Sequence, residues 1–305
     1  MSFARSSFGR RLLAECSIYG PILDMVDSAV RLSRSDQINQ FASALAHEMD
    51  IVGASPCTTV RSRLVSALEM GIAAAAITTD FAEEAGDTLS AVTSQPCGHT
   101  VDSALSSLAL VKKLAVVNTR GRAIKTTLGK SLVNAISSSI GSSAAGRCST
   151  PMIYTVDQAK MVMNLKVDAA SLVMMASLRQ KLVGEPAVEI QAEYTSQRAE
   201  RTTLREASAS TGGVRAQKRL LSVASGAAFI LNSTIASQIG LKDASQAIDI
   251  FRSDDDLMED LTRQLSAISF MSSVAVGLQI STAASTTHLT VQGLSTPIDV
   301  LIPVD

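Results

Sequence analysis

The chain has 305 residues, and 27 Lys and Arg against 28 Asp and Glu give a net charge of -1, which excludes a general electrostatic pull toward nucleic acid or an anionic membrane. Charged residues are only 18% of the chain and hydrophobic ones 46%, so much of the exterior must be Ser, Thr and Ala. Small side chains lose little rotamer entropy when another surface covers them, which suits a subunit of an assembly as well as an ordinary small-residue helical protein.

Aromatics are 3% with no Trp, so the core must come from Leu, Ile, Val, Met and Ala, a palette for closely approaching helices. The acid-free start MSFARSSFGRR has the composition of a transit peptide, but with Arg5, Arg10 and Arg11 it reads as a basic N-terminal arm over residues 1–20. Pro21 suits a first helical position before ILDMVDSAVRL. Ser35 is placed to cap a helix whose Ile38, Phe41, Ala42, Leu45 and Met49 share one stripe, and Thr58 or Thr59 to cap one through Val65, Leu68 and Ile72.

SPCTTVRSRLVSAL and QPCGHTVDSALSSL resemble each other about forty residues apart, each with Pro-Cys before a Thr-capped helix. Two copies do not define a repeat array. The clearest long helix is expected over Asp157 to Val183, with Met161, Leu165, Ala169, Leu172, Ala176 and Val183 near one face as core. These helices make a domain over 21–183.

Between Gly184 and Gly213 the pattern changes. Val188, Ile190, Ala192 and Tyr194 alternate with polar residues as in a half-buried strand, and QRAERTTLREASASTGG reads as a charged, then flexible, loop, so 184–216 is a strand plus loop. In the last segment, 217–305, Arg215 to Ile239 looks helical from just before its start, and Ser253 is expected to open a helix to about Val276. The tail alternates Ile298, Val300, Ile302 and Val304 between Pro297 and Pro303, which fits an edge strand or an arm on a neighbour. The expected fold is therefore mainly α, a helical core with minor β near 188–194 and at the C-terminal edge strand.

Asn118 to Ser131, NTRGRAIKTTLGKS, raises the question of a nucleotide loop. Its Gly-Lys-Ser lacks the glycine that a phosphate loop needs five residues earlier, where Ile124 stands, and Gly121 lies too far upstream. As a polyanion surface it does better. From Ser103 to Val156 there is no acidic residue, while Lys112, Lys113, Arg120, Arg122, Lys125, Lys130 and Arg147 are all cationic. Aligned along one face they would contact phosphates without sequence preference. With Tyr154 the sole aromatic in that window, base stacking has no platform there. The opposing reading is a protein interface, because Asp243 to Asp260 is strongly acidic and the two zones could set register between subunits.

Asp254, Asp255 and Asp256 after Ser253 read as a helix entry facing the dipole, and not as a metal site. His47-Glu48 has Ile51 where a zinc protease would place its second His. Cys97-Gly98-His99 offers two ligands with no further cysteine at ligand spacing. Cys16, Cys57, Cys97 and Cys148 are too few and too scattered for a disulfide scaffold, and point to a reducing compartment. No stretch reads as a membrane span, and no nucleophile, base and orienting group form a pattern.

The sequence thus points to a soluble, non-enzymatic structural protein that self-assembles, of the capsid, core-coating or nucleocapsid type, without cofactor or small-molecule substrate. Its expected partners are copies of itself or other structural subunits, with Arg5, Arg10, Arg11, Asp254, Asp255, Asp256, Ile298, Val300 and Ile302 at the contacts. An RNA-binding nucleoprotein, contacting the phosphate backbone through the basic stretch, and a nucleotide-binding enzyme using Gly-Lys-Ser are the alternatives.

Overall fold

A computed structural model describes residues 16–51, 57–117, 123–141, 152, 154–209, 228–230, 236–255, 275–283 and 299–301. The protein is mainly helical, with a small antiparallel sheet. The helices are α1 (Gly20–Arg31), α2 (Ser35–Ile51), α3 (Thr58–Ala74), α4 (Thr79–Thr93), α5 (Val101–Val117), α6 (Thr126–Gly141) and α7 (Val156–Leu178), with a 3-10 turn at Pro96–Gly98.

Each helix packs on its chain neighbours and on the helix two further along, so α1, α3, α5 and α7 form one layer and α2, α4 and α6 the other. Helices within a layer run parallel. Ser62 meets Thr100 and Glu69 meets Ser106 between α3 and α5, while Lys125, just before α6, meets Glu83 of α4 and Ser131 of α6 meets Asp87 of α4. This stacked arrangement is the one in which near-identical helix entries recur, which accounts for the echo between the two Pro-Cys segments.

Local chemistry fixes the helix starts. Pro21 lies in the first turn of α1. Thr78 caps α4 by accepting from Phe81 N–H at 3.2 Å, and Thr155 and Gln158 form a reciprocal capping box on α7. Thr100 accepts from Ser103 N–H at 3.1 Å while Ser103 Oγ accepts from Thr100 N–H at 2.8 Å, so the expected Thr cap is present on α5. On α3 it is not. Cys57 holds the N-cap position with φ of 42°, without a side-chain cap, and Thr58 and Thr59 lie inside the helix. Ser35 begins α2, and its hydroxyl donates to Gly71 O of α3 at 2.9 Å.

The stripes behave as expected for the early helices: Ile38, Ala42, Leu45 and Met49 are buried, as are Val65, Leu68 and Ile72. The long helix ends five residues before Val183, and Met161 is 52% exposed. From Ala169 onward α7 is buried nearly all round, because α5, α6 and the sheet enclose it. It has the length and apolar composition of a membrane span, but its packing is that of a core helix.

The sheet has the order β1-β2-β4-β5, from β1 (Val188–Gln191), β2 (Thr195–Thr203), β4 (Ala247–Asp255) and β5 (Ala275–Thr282), all antiparallel. A six-residue helix, α8 (Leu204–Ala209), follows β2. Ile190, Ala199 and Phe251 on one face join the helical core. The other face buries Ile248, Ile250 and Ile280 with Leu204, Ala207, Ile239 and Leu241 in a second, smaller core. β3 (Ala228–Ile230) and β6 (Asp299–Leu301) form a separate antiparallel pair.

Four expectations are corrected. Thr195 to Thr203 is an interior strand and not a charged loop, because its charges find partners on β4: Arg201 makes a two-pronged contact with Asp249 at 2.7 and 2.9 Å, and Glu200 accepts from Arg252. Ser253 does not open a helix. It lies in β4, where Ile248, Ile250 and the opposed register with β2 and β5 satisfy a period of two. The helix expected over Arg215 to Ile239 gives way to strand at Ala228–Ile230 and a turn at 236–240. Finally, Cys16 and Cys57 form a disulfide, and Cys97 is also disulfide-bonded, to a partner outside the described residues. The C-terminal strand is present at Asp299–Leu301, where Val300 pairs with Phe229 of its own chain.

Candidate functional site

The cationic stretch is the first candidate. Lys112 and Lys113 stand near the end of α5 in one layer, and Lys125, just before α6, and Lys130, within it, belong to the other. Lys112 Nζ donates to Asp168 of α7 at 2.8 Å, and Lys125 Nζ to Glu83 of α4 at 2.8 Å. The Glu83 hydrogen bond holds the Lys125 ammonium above its ordinary pKa. Lys113 and Lys130 are exposed and, among the described residues, carry no ion pair. Arg120, Arg122 and Arg147 lie outside the described residues.

Gly129, Lys130 and Ser131 sit inside α6, not on a loop. Gly129 N–H donates to Lys125 O within the helix, its Cα packs toward Ile190, and Ser131 donates to Asp87. Those backbone donors are therefore occupied, and the segment lacks the geometry of a phosphate cradle.

The acidic zone does not form a single patch among the described residues. Asp249 is buried against Arg201, and Asp243 accepts from the Ser245 N–H and hydroxyl, which holds its carboxyl below the usual value. Asp254 and Asp255 are on β4 opposite Ser196 and Thr195. Burial pushes the Arg252 guanidinium down to about 10 and the Glu200 carboxyl up, in the middle of this strand pair. Arg5, Arg10, Arg11, Asp256, Ile298 and Ile302 lie outside the described residues.

His47 is exposed on α2. His99 is buried, with Nε2 3.2 Å from Thr93 O, and Cys97 beside it is bonded in a disulfide, so neither residue pairs as a metal ligand. No group of three His, Cys, Asp or Glu that would hold a metal occurs among the described residues.

Three features escaped the sequence reading. One is a polar knot at the helix ends: buried Arg61 donates to Val92 O at 2.7 Å and Ala91 O at 3.3 Å, and to Asp50 Oδ1 at 2.7 Å, while Ser94 donates to Asp50 Oδ2 at 2.7 Å. It satisfies the last carbonyls of α4 with a cation, as the helix dipole favours. Arg61 looks like any helical arginine in sequence.

The second is a set of exposed apolar side chains in and flanking α1, the first of the stacked helices among the described residues. Ile18, Met25 and Leu32 are 63%, 49% and 61% exposed. Ile18 lies in the turn before α1, Met25 within it and Leu32 at its C-cap, and their even seven-residue spacing was the available signal.

The third is a cleft of about 530 Å³ between Ala123, Ile124 and Thr126 before and at the start of α6, Gln180 just past α7, and the edge strand at Val188 and Glu189.

No protein-family model matches the chain, and no curated protein sequence matches it significantly.

Proposed function

We propose that the protein is a non-enzymatic structural subunit that assembles with copies of itself through α1. The observation that carries this is the exposure of Ile18, Met25 and Leu32. Exposed apolar side chains gathered around one helix are a surface to be covered. Ile18 and Leu32 are equidistant in sequence from Met25. A two-fold axis near Met25 would bring the Ile18 end of α1 in one copy to the Leu32 end in the other, the self-complementarity that a symmetric dimer requires.

A capsid, core-coating or nucleocapsid subunit is the narrower form of this reading, supported by the sparsely charged exterior. Phosphate-backbone binding by RNA is the weaker reading, since Lys112 and Lys125 are already engaged by Asp168 and Glu83.

Sedimentation of the 305-residue chain tests the proposal. It should show a concentration-dependent oligomer that Met25→Glu dissociates without loss of helicity. A parent protein that stays monomeric at high concentration overturns it.

A further inference from the structure

Among the described residues β1 stands at the edge of the four-stranded sheet, with β2 on its one bonded side. The hairpin bond from Ala192 N–H to Thr195 O at 2.9 Å determines which peptide groups point outward. Bonded and non-bonded pairs alternate along an antiparallel ladder, so Ile190 exchanges both bonds with Gln197, and Glu189 and Gln191 turn their N–H and C=O away from β2. The hairpin itself is fixed, because Tyr194 N–H donates to Ser137 Oγ of α6 at 2.9 Å.

This edge runs along a wall of the 530 Å³ cleft, whose far side is formed by Ala123 and Ile124. A row of outward peptide groups beside an open cleft fits only an extended backbone. The charges say which kind. Glu189 lies 3.8 Å from Arg198 across the ladder and its side chain is 54% exposed, which leaves it open to a second cation. Lys181, the cleft's cation, is taken up by Pro186 O at 3.1 Å and by Glu185 at 3.9 Å. A second copy of β1 would bring its own Glu189 to this edge, and like charges on neighbouring strands repel.

We propose that β1 is a strand-addition site for an extended peptide segment with a Lys or Arg opposite Glu189 and apolar residues on either side of it. The cation continues the alternation begun by Arg198 and Glu189. The apolar neighbours point to the other face, where Val188, Ile190 and Ile124 line the cleft. This goes beyond self-assembly at α1, since it uses a different surface and a different partner.

The test is fluorescence anisotropy of an end-blocked, labelled Val-Lys-Val-Lys-Val-Lys peptide against the full chain. Binding is expected, weakened roughly fivefold by Glu189→Lys, as a cross-strand charge reversal would do. Gln191→Pro removes an outward N–H without touching the bonds to β2, and should weaken binding about tenfold, as should N-methylation of the alternate peptide amides that face β1. No binding overturns the proposal. Binding indifferent to both Gln191→Pro and N-methylation overturns it in favour of plain charge attraction. Self-association of the chain that Gln191→Pro abolishes and Met25→Glu does not overturns it in favour of a second copy at this edge.

Discussion

Arg61 and Asp50 meet at 2.7 Å where the end of α2, the start of α3 and the end of α4 converge. Arg61 is 2% exposed, and the same guanidinium holds the carbonyls of Ala91 and Val92. Removing it takes the ion pair from Asp50, which keeps Ser94, and leaves two helix-end acceptors without this donor. Arg61→Met should therefore cost about 3 kcal/mol in urea unfolding, the range for breaking one side of a buried pair. An unchanged midpoint would show that water replaces the guanidinium.

His99 gives the protein an acid limit. Its pKa is pushed down to about 4, first by burial and further by nearby Arg61, against the stabilising contact with Thr93 O. The unfolded chain takes up this proton near 6.5 and the folded one only near 4, so unfolding is favoured by proton uptake in between. The contribution of neutral His99 is full above pH 6.5 and is lost as pH falls toward 4, in total about 3 kcal/mol. Denaturant midpoints measured from pH 7 to 4 should fall accordingly, and His99→Gln should remove that part of the slope.

The Cys16–Cys57 bond closes a span of 41 residues around α1 and α2. Loop-closure entropy for that span gives about 4 kcal/mol of stabilisation in the chain-entropy account. The double variant Cys16→Ser, Cys57→Ser, with the Cys97 disulfide intact, should lose stability on that scale in guanidinium melts. A loss under about 1 kcal/mol would mean that the packing of α1 on α3 already orders the unfolded reference.

Gly86 lets α4 approach α6. A Cβ there would lie 2.4 Å from Leu128 Cδ1, and Leu128 is fully buried. Gly86→Val should lower stability by about 2 kcal/mol through overpacking, read as a drop in Tm. Gly86→Ala should cost less, because about 1 kcal/mol of helix propensity offsets the crowding.

The helical half was legible because its signals are local. Pro21, Thr100 and the stripe from Ile38 to Met49 each act within a few residues of themselves, and the structure places them as read. The sheet was opaque for the opposite reason. Arg201 and Glu200 look like loop charges until register brings Asp249 and Arg252 across from them, 48 and 52 residues away. The same distance effect hid the state of the cationic stretch. Its window contains no acid, yet Asp168 and Glu83 reach it from 56 and 42 residues away on adjoining helices. The disulfide spans two helices with no local mark at either cysteine.

The inner face of the sheet puts Ile190, Ala199 and Phe251 against the helices beyond α7, where a further helix of the stack would otherwise pack. Addition of a further helix pair against α7 is thereby blocked on that side, because the strands already occupy the surface that such a pair would need.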